Sequence, residues 1–100
     1  MVNHFSTALI EYYRRSGNKV VFKNGMSLNA LAWEMWEKLG FREIDPSVIS
    51  RVLKGDRLFT PRQFTTFAQI MKLPPKREKQ LRLLLLNDYL RRFGFDVTKL

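Results

Sequence analysis

Residues 44–55 read IDPSVISRVLKG, and the fold is decided there. Asp45 stands where a helix N-cap belongs, able to accept from the free amides of a first turn and favoured by the helix dipole. Pro46 follows at the first helical position, where a missing N–H costs nothing. Ile44 and Ile49 are spaced as a hydrophobic staple, and Gly55 can supply the left-handed residue that stops the helix. The stretch predicts a short, sharply bounded helix over about 45–54. At roughly 100° per residue, Val48, Ile49, Val52 and Leu53 share one side. Ser47, Ser50, Arg51 and Lys54 share the other, which holds hydroxyls and cations and no acid. Such a face is either ordinary solvated surface or a surface for a groove lined with phosphates and hydrogen-bond acceptors.

Composition bears on that choice. One hundred residues allow one domain with a real core. Eighteen Lys and Arg against nine Asp and Glu give a net charge of +9, and eight Phe argue against disorder. A small, well-packed, strongly basic domain most often meets a polyanion, commonly nucleic acid, with an anionic membrane surface as the rival. No segment approaches the length of an apolar membrane span, and the N-terminus lacks a signal peptide's order. With no cysteine, disulfides and thiolate metal sites are excluded, and a cytoplasmic setting is expected. His4 alone cannot ligate zinc. Neither a glycine-rich phosphate loop nor a nucleophile–base pair is present, so no enzyme, cofactor or small-molecule ligand is expected.

In chain order, Phe5, Ala8, Leu9 and Tyr12 mark the stripe of a first helix, expected to end at Ser16 with Gly17 as its stop and Arg14 and Arg15 closing its last turn. Residues 17–26, with Asn24-Gly25 as a turn signal, fit a small β-ribbon or a packed loop. Lys19 and Lys23 there are either solvated or within reach of a phosphate. Ser27 caps a second helix carrying Leu28, Leu31, Ala32, Met35 and Leu39, ended by Gly40. Trp33 falls off that stripe; it packs under a neighbouring segment, the reading favoured because residues 20–22 need cover, or marks a partner surface. After 44–55 the same start signal repeats: Phe59, Thr60 as cap, Pro61, Phe64. Residues 75–93 predict a last helix of about 19 residues, roughly 28 Å long. Leu81, Leu84 and Leu85 lie on one side; Leu83, Leu86, Leu90 and Phe93 spread to the other. A helix apolar nearly all round needs cover on both sides, by the N-terminal segment or by a second copy of the chain.

These pieces together resemble a known family. Met26-Ser27 with Leu31-Ala32, Ile49-Ser50-Arg51 with Gly55, and Thr60-Pro61 with Phe64, Phe67, Ala68 and Met71 are similar to the Cro/repressor-like (XRE, lambda-repressor-like) helix-turn-helix DNA-binding family, over roughly residues 5–73. The resemblance implies an all-α, five-helix domain: a helix-turn-helix core over 1–73 and a C-terminal helix over 74–100, a possible dimerisation element. It implies a transcriptional regulator, or its DNA-binding part, that binds double-stranded DNA with 45–54 as recognition helix. Ser47, Ser50 and Arg51 would then read bases, Ser27, Lys54, Arg57 and Arg62 would contact phosphates, and Leu83, Leu86, Leu90 and Phe93 would form a homodimer interface. Two departures stand out. Pro46 cannot read a base by hydrogen bond, and the turn before Asp45 is longer than usual for the family. Pro46, the off-stripe Trp33 and the leucine-rich last helix favour the alternative, an antitoxin-like or adaptor protein-interaction module on the same fold. RNA is disfavoured, because an A-form major groove is too narrow for the helix.

Overall fold

The computed structural model describes residues 4–42 and 44–94. It is mainly α, with five helices and 64% helix, plus one two-stranded antiparallel ribbon. The order is α1 (His4–Leu9), a single 3-10 turn (Ile10–Tyr12), β1 (Tyr13–Ser16), β2 (Lys19–Phe22), α2 (Leu28–Lys38), α3 (Pro46–Lys54), α4 (Pro61–Met71) and α5 (Pro75–Arg92). Among the described residues, no helix is long and apolar enough to cross a membrane.

The all-α expectation and the first helix to Ser16 are corrected together. The α-helix ends at Leu9, and Tyr13 to Ser16 pair with Phe22 to Lys19 in register. Gly17, expected as a helix stop, holds φ +61° as the first residue of a two-residue hairpin loop, while Asn18 does not turn left-handed. That is the II′ preference for glycine at the first loop position. Arg14 and Arg15 therefore belong to a strand. The stripe itself survives the change: Phe5 and Leu9 are buried, with Ala8 and Tyr12 packed partly against the core. The Asn24-Gly25 turn folds the chain back after β2, so that Val21 bridges Ser27.

Helices α2, α3 and α4 begin where their sequence signals lie, and α2 and α3 end at theirs, Gly40 and Gly55. Ser27, Asp45 and Thr60 each accept a backbone N–H of the first turn, and Thr60 with Gln63 completes a capping box. Each helix closes with paired back-bonds, the Schellman pattern. At α3 these are Gly55 N–H to Val52 and Asp56 N–H to Arg51; at α2, Gly40 to Glu37 and Phe41 to Trp36; at α4, Lys72 to Gln69 and Leu73 to Ala68.

The core joins all five helices and the inward face of the ribbon. Phe5 meets Phe59 and Phe64 edge-on, Phe59 meets Phe67, and Phe22 meets Phe67. On α5, Leu81, Leu85 and Asp88 are buried. The Asp88 carboxylate accepts the backbone N–H groups of His4 (3.1 Å) and Phe5 (2.8 Å), capping α1 from the far end of the sequence. Trp33 is not covered. It is 59% exposed, stacked beside Trp36, whose other side meets Phe41. Phe22 finds its cover in Tyr13 and Phe67 instead.

Candidate nucleic-acid interface

Helix α3 is amphipathic as expected. Val48, Ile49, Val52 and Leu53 are buried, while Ser47, Arg51 and Lys54 are exposed and Ser50 is half-buried. The buried side fixes the helix; the Schellman turn at Gly55 (φ +86°) fixes its end. Arg51 and Lys54 lie in the last turn, where they also complement the dipole.

The entrance of α3 carries the capping acid expected there. The exposed Asp45 carboxylate accepts the Ser47 hydroxyl at 2.6 Å and the Val48 amide at 3.0 Å. The Ser47 hydroxyl first, then the Val48 amide, holds the Asp45 carboxyl below the usual carboxylate range. An ionised carboxylate thus stands at the helix's first turn. With its proton engaged, Ser47 offers a partner only its acceptor lone pairs.

Beyond the last turn, cations collect through tertiary contact. Arg57 is exposed in the loop after α3. Arg92, from the end of α5, reaches the Gly55 carbonyl at 3.5 Å. Between them Tyr89 donates to the Phe59 carbonyl. Burial pushes the Tyr89 phenol up, while Arg92 and Arg57 pull it the other way. Lys54, Arg57 and Arg92 therefore form one cationic end to α3. Among the described residues, no carboxylate forms an ion pair with Arg51, Lys54, Arg57 or Arg62.

Ser27 and Arg62 do not join that group. Arg62 lines a hollow with Lys38, Leu39, Thr65, Thr66 and Gln69, where the end of α2 meets the start of α4. Ser27 caps the opposite end of α2, about 16 Å of helix away. One face of α2, from Asn29 in its first turn through Ala32 and Trp33 to Trp36, lines a hollow with Ile44, Asp45 and Pro46 at the entrance of α3. Two residues escaped the sequence reading. Arg92 and Lys38 carried no local signal, since only packing brings them to Gly55 and Arg62.

On α5, Leu83 and Leu86 are each 52% exposed and Phe93 is 75% exposed, while Leu90 is half-buried. Residues 95–100 of the expected C-terminal element lie outside the described residues. No family model, curated protein or solved structure matches the chain.

Proposed function

We propose that this chain is a sequence-specific double-stranded DNA-binding protein of Cro/repressor-like build, a transcriptional regulator or the DNA-binding part of one, acting in the cytoplasm. The observation that carries the reading is α3: one side wholly buried, the other presenting Arg51 and Lys54 with no ion pair among the described residues. A net charge of +9 supplies affinity through released counterions. Arg51 reads a guanine edge, Ser50 and Ser47 act as short partners, and Lys54 and Arg57 take phosphates. Ser27 and Arg62 touch the backbone farther out. Leu83, Leu86 and Phe93, with Leu90 at the margin, form the homodimer seam that spaces two such helices.

Two observations favour a second reading, a protein-interaction module: the Asp45 carboxylate at the entrance of α3 and the exposed Trp33 beside it. Selection of bound duplexes from a random pool, followed by salt titration, separates the two. The regulator yields a preferred duplex and a steep salt dependence. On that duplex, Arg51→Ala costs about 1–3 kcal/mol and relaxes the preference, whereas Lys54→Ala weakens all duplexes alike and flattens the salt slope by about one unit. Absence of duplex binding near 100 mM salt supports the module.

A further inference from the structure

Strand side chains alternate between faces. Val20 and Phe22 are buried, so Lys19 and Val21, with Arg14 and Ser16 across the ribbon, share the outward face. Lys23 extends it. Its N–H donates to the Tyr12 carbonyl at 2.7 Å, one step beyond the paired residues. Its parity is that of Lys19 and Val21. Arg14 stands opposite Val21, which makes Lys19 and Lys23 its diagonal neighbours at about 7–8 Å.

These three cations are exposed and, among the described residues, form no ion pair. Lys23 lies 6.0 Å from the Tyr12 ring, a contact that leaves its charge intact. One carboxylate, Glu11, lines the hollow beside Arg14, Val21 and Lys23, and Arg77 holds it at 2.7 Å. The bridge from Val21 to Ser27 ties the ribbon to the first turn of α2. Asn29, in that turn, lines the same hollow as Asp45 and Pro46 of α3. The ribbon thus borders the entrance of α2, and α2 in turn borders the entrance of α3.

We infer that the outward face of this ribbon is a second backbone contact. Arg14, Lys19 and Lys23 take phosphates of the duplex that α3 reads, flanking the segment in the groove. The inference rests on α3 being a DNA-binding helix. Long flexible cations in a row bind charge and set register; they do not read bases.

The test uses the full chain on the duplex recovered by selection. Each of Arg14→Gln, Lys19→Gln and Lys23→Gln lowers the slope of log K against log salt by about 0.9, and the triple variant by about 2.7. Between 50 and 200 mM salt, wild-type affinity then falls about 40-fold more than that of the triple variant. The ratio of preferred to random duplex stays unchanged, as does the thermal midpoint. Arg15→Gln is the control: the same strand and charge, on the other face, where Arg15 lies over the Tyr13 ring. Its slope stays close to wild type. Equal slope losses for Arg15→Gln and Arg14→Gln overturn the inference, because only total charge then matters. Unchanged slopes in the three outward variants, with wild type still bound, overturn it while α3 keeps its role. Failure of the wild type to bind any duplex removes both readings.

Discussion

Helix α3 and residues 4–22 are built on opposite plans. The caps that bound α3 lie within the helix or next to it: Asp45 caps its start and Gly55 with Asp56 closes its end, where Arg92 adds a contact to the Gly55 carbonyl. The N-terminal segment is held from far away. Asp88 accepts the amides of His4 and Phe5 from 84 and 83 positions along the chain. Arg77 donates to Glu11 and Tyr12 from 66 and 65 positions away. A helix as short as α1 has too few internal bonds to offset its nucleation cost, so it exists because α5 holds it. One region carries its own instructions; the other borrows them.

The comparison breaks first at Asp88. This carboxylate is 2% exposed and serves two backbone donors. Asp88→Ala leaves the buried Phe5 amide and the part-buried His4 amide without their acceptor, breaks the ion pair with Arg91 at 3.7 Å, and is expected to cost about 3 kcal/mol. Urea unfolding measures the loss, and hydrogen exchange locates it. Amide protection in 4–9 collapses first, while amides of α3 follow only the global change. Equal loss of protection in both regions would mean that α1 and α3 share one cooperative unit.

A smaller loss is expected at Gly55, whose φ of +86° suits glycine and strains an L side chain. Gly55→Ala costs about 1–2 kcal/mol. Its exchange signature is confined to 51–56, the mirror image of the Asp88 result. Chemical denaturation of the double variant tests independence: the two losses add if the local and the borrowed instructions are separate.

What was legible in the sequence follows the same division. The starts of α3 and α4 were readable to the residue because Asp45-Pro46 and Thr60-Pro61 announce them, and Gly55 announces the end of α3. The ribbon was half-read. Tyr12 and Tyr13 keep a helical period, so Gly17 looked like a helix stop, and only pairing with Lys19 to Phe22 makes it a hairpin glycine. Asp88 carries no local signal, since nothing near it in sequence needs a cap. At the site, Lys54 and Arg57 were readable as neighbours, but Arg92 arrives by packing alone. The Asp45–Ser47 bond was within reach of a closer reading, because a capping carboxylate with a hydroxyl two residues on commonly closes this way.

The smallest expected effect concerns that bond, and it joins stability to function. The Ser47 hydroxyl and Val48 amide lower the Asp45 carboxyl, so its contribution is complete above the unfolded value of about 3.9. It disappears as pH falls through the lower folded value. In thermal melts, the gap between wild type and Asp45→Ala should be open at pH 7 and narrow as pH falls below about 4. Asp45→Asn retains a good cap and removes the charge. If α3 enters a groove of phosphates, this variant binds random duplex on the order of a few-fold more tightly at low salt, since a repelling carboxylate is gone from the helix's leading turn. If α3 faces a protein through Asp45 and Trp33, duplex affinity does not change. The residue that bounds the most legible helix is thus also the one whose charge distinguishes the two uses of that helix.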